Sequence, residues 1–96
     1  MFDEGARMVR TTRGPISHYE DYTTTNLYVE RLFAAPINEI TVTNDSLSDT
    51  VSLSLDGATL MAELKAEETL TINLNGRTSL YARGSAGGGH IRLWGV

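Results

Sequence analysis

The stretches ITVTNDSLSDTVSLSL (residues 40–55) and TLTINLNG (residues 69–76) alternate apolar and polar residues, and this alternation decides the fold. Ile40 and Val42, for example, alternate with threonines, and the same spacing recurs through both stretches. Because successive side chains of a strand point to opposite faces, each strand gains one apolar and one polar face. Hydroxyl and amide side chains on the polar face are weak nucleophiles without a neighbouring base. The pattern predicts a β body that packs and binds.

Turn-forming residues divide the chain into short segments. Strands are expected near residues 38–44, 49–55, 58–64, 69–75, 78–83 and 90–95. Asp56-Gly57 and Asn75-Gly76 each lie between two of these segments, and both pairs are typical of tight hairpin turns because Gly accepts a positive φ. Residues 84–89 (GSAGGG) are expected to form a pliant loop before the last strand. Strands at this spacing predict an all-β fold, a small antiparallel β-sandwich or jelly-roll-like body with an extended N-terminal arm.

The arm is predicted from the composition of the first third of the chain. Residues 1–35 contain both phenylalanines and three of the four tyrosines. Gly14-Pro15 and the threonine run at residues 23–25 favour extended backbone, so residues 1–23 are interpreted as an arm. A floppy terminus is the alternative. Disordered segments are poor in aromatic residues, which favours an arm that orders on a neighbouring subunit.

Residues 24–35 (TTNLYVERLFAA) fit two local structures. Val29 and Phe33 share one face of a strand, and they would also stack four residues apart in a short helix. The threonine run favours the strand. Pro36 is expected to end this element, because the residue before a proline is restricted to extended geometry. The predicted division is residues 1–35 as arm and first strand and residues 36–96 as β-sandwich body, within a single domain.

Composition excludes several classes of function. The chain has 96 residues, a formal net charge of −4 and no cysteine, so disulfides and thiolate sites are excluded. A nucleic-acid-binding protein normally carries a basic patch, and because none is evident we expect no nucleic-acid partner. No apolar run approaches the ~20 residues that cross a bilayer, and we expect no membrane partner. The acidic start MFDEGARMVR lacks the apolar core of a secretory signal, which predicts a protein kept in the cytoplasm until it assembles.

Residues suited to chemistry are few and scattered. His18 and His90 are the two histidines, and no further ligands stand at metal-binding spacing beside them. The GSAGGG stretch lacks the Lys and Ser/Thr that complete a phosphate-binding loop, and a predicted strand follows it instead of a helix. We therefore expect no catalytic residue, no metal and no cofactor, and the protein is predicted not to be an enzyme.

Contacts with a partner are expected from Tyr, Trp and Arg, because these residue types are enriched at protein interfaces. Trp94, in the final segment HIRLWGV, has two interpretations: it closes one end of the core, which its size favours, or it anchors an interface. The predicted partner-binding residues are Arg7, Arg10, Arg13, Tyr19, Tyr22, Tyr28 and Trp94.

Four short motifs lie along the last part of the chain: ITVTNDS (residues 40–46), LSLDG (53–57), LKAEETLTI (64–72) and IRLW (91–94). In this pattern the chain resembles small virion structural proteins of tailed bacteriophages, over roughly the last 60% of its length. The resemblance implies a decoration or cement protein that binds major capsid or other virion proteins. It also implies a homo-oligomer that is assembled in the host cytoplasm and resides in the virion. A neck, tail or fibre-attachment component is the alternative, and no catalytic residues come with this family.

Two further functions fit the residues. A carbohydrate- or receptor-binding module would use exposed aromatic residues, for which Tyr81 and Trp94 are the candidates. A small hydrolase or isomerase would need His18 and His90 close to carboxylates. The structural role in a particle is favoured over both.

Overall fold

The computed structural model describes residues 16–86 and 88–96, and the structural findings concern these residues. The predicted contacts Arg7, Arg10 and Arg13 lie outside them. In the described ranges, no helix is long and apolar enough to cross a membrane.

Six strands of the described chain form one antiparallel hydrogen-bonded sheet. They are β1 (His18–Thr23), β2 (Val29–Asn44), β3 (Val51–Ser54), β4 (Ala62–Leu64), β5 (Thr69–Gly84) and β6 (His90–Gly95). Their order across the sheet is β1-β6-β2-β5-β3-β4. The prediction of an all-β antiparallel fold is confirmed. The two separate sheets of a sandwich are not confirmed, because the ladder between these strands is continuous.

Strands β2 and β5 are each 16 residues long and pair with one another at both ends. Residues 29–32 pair with residues 79–82, and residues 39–43 pair with residues 69–73. The C-terminal end of β2 also pairs with β6, whereas the C-terminal end of β5 pairs with β3. The two long strands therefore belong to both halves of the sheet.

The irregular middle of β2 and β5 corrects two predictions. Pro36 does not end its element, because β2 continues through it. Around Pro36 the strand bulges out of the ladder, so no ladder hydrogen bond requires the N–H group that proline lacks. Asn75-Gly76 does not join two strands, because both flanks pair with β2. Its positive φ values, 54° and 82°, are those of a tight turn, but here they form a bulge. The predicted strands 69–75 and 78–83 are one strand.

The two bulges lie on opposite strands and offset one another in part. From Leu32 to Ile37, β2 advances by five residues while β5 advances by two. From Ile37 to Glu39, β2 advances by two residues while β5 advances by four. The surplus is three residues in β2 and two in β5, so β2 keeps one extra residue. Its inward positions accordingly change from odd numbers, as at Ile37, to even numbers, as at Ile40 and Val42, and this change keeps the apolar side chains on the inner face.

The Asp56-Gly57 turn is wider than the predicted hairpin. β3 and β4 hold four and three residues, and residues 55–61 connect them. The Asp56 carboxylate accepts hydrogen bonds from the backbone N–H groups of Ala58 and Thr59, each at 2.8 Å, which curls the chain locally. Gly57 adopts a φ of 84° against the Tyr81 ring, so the residue pair still marks a turn.

One core joins both halves of the sheet. Buried side chains from all strands except β1 form it, namely Ile37, Ile40, Val42, Val51, Leu53, Leu64, Leu74, Leu80, Ala82, Ile91 and Leu93. The buried Asn44 amide donates hydrogen bonds to the carbonyl groups of Asp49 and Leu64, at 2.8 and 3.1 Å. The Thr24 hydroxyl donates to the carbonyl of Gly89 at 3.1 Å. The Asn44 bonds connect the end of β2 with the end of β4, which β5 and β3 separate in the sheet order, so the sheet folds back on itself around the core. The Thr24 bond extends the pairing of the neighbouring strands β1 and β6.

Replacing Gly95 by alanine is expected to lower the free energy of unfolding by about 1–3 kcal/mol. A Cβ atom there would lie 2.6 Å from Ile37 Cγ2 and 3.1 Å from the Glu39 carbonyl oxygen. Gly88→Ala is the matched control, because a Cβ at Gly88 would meet nothing within 4 Å. Urea unfolding measures the difference, and equal midpoints for the two variants would contradict the tight packing at Gly95.

The Asp56 turn makes the free energy of unfolding depend on pH in the acid range. Hydrogen bonds from the backbone N–H groups of Thr59 and Ala58 lower the pKa of Asp56 below its ordinary 3.8. Its contribution to stability is therefore present above pH 3.8 and is lost as the pH falls towards the lower, folded-state pKa. We expect the melting temperature of Asp56→Asn to fall less than that of the wild type between about pH 5 and about pH 2. Glu63→Gln, which changes an exposed carboxylate, serves as control and should keep the wild-type slope.

Candidate functional site

Aromatic and hydroxyl side chains lie in register on the outer face of β1, β6 and the adjoining ends of β2 and β5. Tyr19 pairs with Trp94, Trp94 with Thr41, and Thr41 with Thr71. Directly opposed residues of antiparallel strands share a face, so these four form one row about 15 Å long. A second row runs beside it in the same way. We call this surface the aromatic–threonine face; its residues are Tyr19, Asp21, Thr41, Thr43, Thr69, Thr71, Arg92 and Trp94.

Trp94 does not close the core, which corrects the favoured interpretation. Strand β6 alternates strictly, with Ile91 and Leu93 buried and Arg92 and Trp94 turned to the outer face. Trp94 is half-buried there, beside Tyr19, which is 58% exposed. The structure thus brings together two of the predicted partner-binding residues.

Side-chain contacts hold the polar part of this face in place. The hydroxyl groups of Thr41 and Thr71 are hydrogen-bonded at 3.0 Å, and Thr43 and Thr69 form the equivalent pair at 2.9 Å. Arg92 donates from Nε and Nη2 to the Asp45 carboxylate, at 2.6 and 3.1 Å, and this hydrogen bonding raises the pKa of Arg92. Because these side chains are already ordered, a partner that binds them loses little conformational entropy.

Among residues 16–86 and 88–96, no strand pairs with the outer edge of β1, and this edge borders the same face. An edge strand leaves half of its backbone N–H and C=O groups without a strand partner. Asp21 lies at the middle of β1, and its carboxylate contacts Nε2 of His90. A second β1 in the symmetric antiparallel register would place Asp21 opposite Asp21, which is unfavourable. The edge is therefore protected by charge against this mode of self-pairing.

The inner side of β1 packs on the N-terminal half of β2. Arg31 donates from Nε to the Glu20 carboxylate at 2.8 Å, and its Nη2 contacts the same oxygen. This hydrogen bonding raises the pKa of Arg31, whose guanidinium also lies 4.1 Å from the centre of the Tyr22 ring. His18 Nδ1 accepts a hydrogen bond from the Ala34 N–H at 3.1 Å. Tyr22, a predicted contact residue, is thus half-buried under Arg31 and lies away from the aromatic–threonine face.

Tyr28 lies just before β2, in the other half of the sheet. Its ring is 4.5 Å from the guanidinium of Arg83, and its hydroxyl is buried without a hydrogen-bond partner among the described residues. Tyr81 packs against the Gly57 turn, in that same half. Tyr28 and Tyr81 are therefore not brought together with Trp94.

The threonine pairs were not identified as a site from the sequence. Thr41, Thr43 and Thr71 were assigned to polar strand faces, without a role. The available signal is the Thr-x-Thr spacing that occurs at residues 41–43 and again at residues 69–71. Two such segments on neighbouring strands place four hydroxyl groups side by side.

The two histidines lie at opposite ends of the β1–β6 pair. His18 is opposite Gly95, and His90 is opposite Thr23. Five residues of strand separate these positions, which corresponds to about 17 Å. Within residues 16–86 and 88–96, no group of three or more His, Cys, Asp or Glu side chains is placed to hold a metal ion.

No protein-family model matches the chain, and no curated protein matches it. The assignment of a function therefore depends on the geometry of these surfaces.

Removing the Glu20 carboxylate should loosen β1. Glu20→Ala leaves the partly buried Arg31 without its charged acceptor, which typically costs about 1–3 kcal/mol. We expect faster hydrogen exchange in the backbone amides of β1, with little change in β3. Glu30→Ala is the control, because Glu30 is exposed on β2. Equal exchange of the β1 amides in both variants would show that the Glu20–Arg31 pair does not hold the strand.

Proposed function

We propose that this protein is a non-enzymatic structural subunit that binds neighbouring subunits of a particle through the aromatic–threonine face. The observation that carries the proposal is the row in which Tyr19 and Trp94 stand side by side next to the ordered pair Thr41 and Thr71. Tyr and Trp supply large contact areas at low entropic cost, and they dominate the binding energy of many interfaces. A flat surface of this kind suits a protein partner.

The class of particle is suggested by the resemblance to small virion proteins of tailed bacteriophages. Three of its four motifs contribute residues to the proposed binding surface. The motif at residues 40–46 contributes Thr41 and Thr43, the motif at residues 64–72 contributes Thr69 and Thr71, and the motif at residues 91–94 contributes Arg92 and Trp94. We therefore propose a decoration or cement protein that contacts major capsid subunits. A neck, tail or fibre-attachment component would use the same face and is the alternative.

Repetition explains how a small face can hold a subunit in place. A single contact area that is two rows wide and about 15 Å long is small for a stable complex. When subunits are linked as homo-oligomers on a symmetric shell, each further contact forms at a high effective concentration. Weak individual contacts then add up to lasting attachment.

The test measures attachment to particles of the phage that encodes this chain, prepared without it. Purified protein is added back, and the copies retained after sedimentation are counted. Tyr19→Ala and Trp94→Ala should each weaken retention about thirtyfold, as expected for interface residues that contribute roughly 2 kcal/mol. Leu47→Ala is the control, because Leu47 is an exposed apolar residue, 87% accessible, outside the face.

Wild-type retention by both aromatic variants would overturn the role of the face. Failure of the wild-type protein to bind the particles at all would overturn the structural role itself. Circular dichroism of each variant confirms that the fold is intact before retention is compared.

A further inference from the structure

A second surface feature lies on β3, β4 and the C-terminal end of β5, which contribute no residue to the aromatic–threonine face. It is a groove of about 430 Å³. Every residue that lines it is polar or glycine, namely Asn26, Thr50, Ser52, Glu63, Arg83, Gly84 and Ser85. Its volume is within the range of small-molecule sites, which are a few hundred Å³. We call it the polar groove.

Three of the lining side chains stand in one row. Ser52 on β3 is opposite Glu63 on β4 and also opposite Arg83 on β5. The three therefore share a face, and the two charged residues are two strand spacings, roughly 10 Å, apart at the backbone. Within the part of the chain that the structure describes, neither Glu63 nor Arg83 has a hydrogen bond or an ion pair. The row offers an acceptor at one end and donors at the other.

The Arg83 side chain is held without using its donors. Its guanidinium lies 4.5 Å from the centre of the Tyr28 ring, a cation–π contact that fixes its position over the groove. No acceptor among the described residues takes up its five guanidinium N–H donors, and two of these donors can bind adjacent oxygen atoms as a pair. Ser52 is only 8% exposed, and its hydroxyl has no hydrogen bond among the described residues. The floor of the groove is thus polar, and its hydroxyl group can bond to a ligand.

The pairing of charges limits the chemistry of the ligand. An anion at Arg83 would also meet Glu63, and a cation at Glu63 would also meet Arg83. An apolar ligand would remove both charges from water without offering hydrogen bonds, which is costly. A neutral ligand rich in hydroxyl groups satisfies both ends, because each hydroxyl both donates and accepts. The two ends are roughly 10 Å apart, so a ligand that reaches both is an extended molecule with several hydroxyl groups.

We propose that the polar groove binds an uncharged oligosaccharide, with Arg83 donating to adjacent hydroxyl oxygens and Glu63 accepting from hydroxyl groups at the other end. Ser52 completes the floor between them. This site is separate from the face of the proposed structural role, and neither depends on the other.

The test is an NMR titration of the full chain with maltotriose, cellotriose, laminaritriose, mannotriose and chitotriose. At least one should shift the backbone amides of residues 50–52, 63 and 83–85, with saturation. For that sugar, Arg83→Gln and Glu63→Gln should each weaken binding about tenfold or more, as expected for loss of a charge-assisted hydrogen bond. Sialyllactose and glucosamine oligomers, which are charged, should bind less well than the neutral sugar.

Tyr19→Ala separates this site from the aromatic–threonine face. It should leave the titration unchanged while it weakens particle retention. If Tyr19→Ala abolished sugar binding while Arg83→Gln still bound the sugar normally, the sugar would be assigned to the aromatic–threonine face and the proposal would be overturned. Absence of saturable shifts with all five sugars, or preference for a charged one, would overturn it too. Unchanged amide spectra away from the substitution show that the variants are folded.

Discussion

The pairing of β2 with β5 is the constraint on which the rest of the structure depends. These two strands are the longest of the described chain, and every other strand joins the sheet through one of them or through a strand that pairs with one. Their pairing brings together residues 29–32 with 79–82 and residues 39–43 with 69–73. A one-residue slip would turn the apolar side chains of a strand to the solvent. The bulges therefore matter, because the one extra residue that they leave in β2 coincides with the change of its inward positions from odd to even numbers, so apolar residues face inward on both sides of the irregularity.

The sequence predicts the faces of the strands better than their connections. Alternation predicts Ile40 and Val42 on the apolar side of their strand, and the structure buries both. The Asn75-Gly76 pair could not be assigned correctly, because positive φ values suit a hairpin turn and a bulge equally well. The long-range partner decides between the two, and that partner is β2 on both flanks. Local rules carry no information about that choice.

The candidate site shows the same division between local and long-range information. The residue types Tyr and Trp alone predict Tyr19 and Trp94 as contact residues. Their adjacency depends on the register of β1 with β6, two strands from opposite ends of the sequence. Trp94 was expected in the core because of its size, but the inward positions of β6 were already occupied by Ile91 and Leu93. The polar groove likewise required Ser52 to face strands on both sides, which the sequence does not reveal.

The β1–β6 pair also fixes the orientation of the body. Ser17 donates a backbone hydrogen bond to the carbonyl of Gly95 at 2.7 Å, so both ends of the described chain emerge at one pole. The loops after β2, β4 and β5 cluster at the other pole, near Asn44 and Gly89. A subunit attached at the pole of Ser17 and Gly95 would point these loops outwards. Foreign peptides inserted at residues 47–48 would then be displayed at the distal pole, whereas a fusion after Val96 would lie at the attached pole.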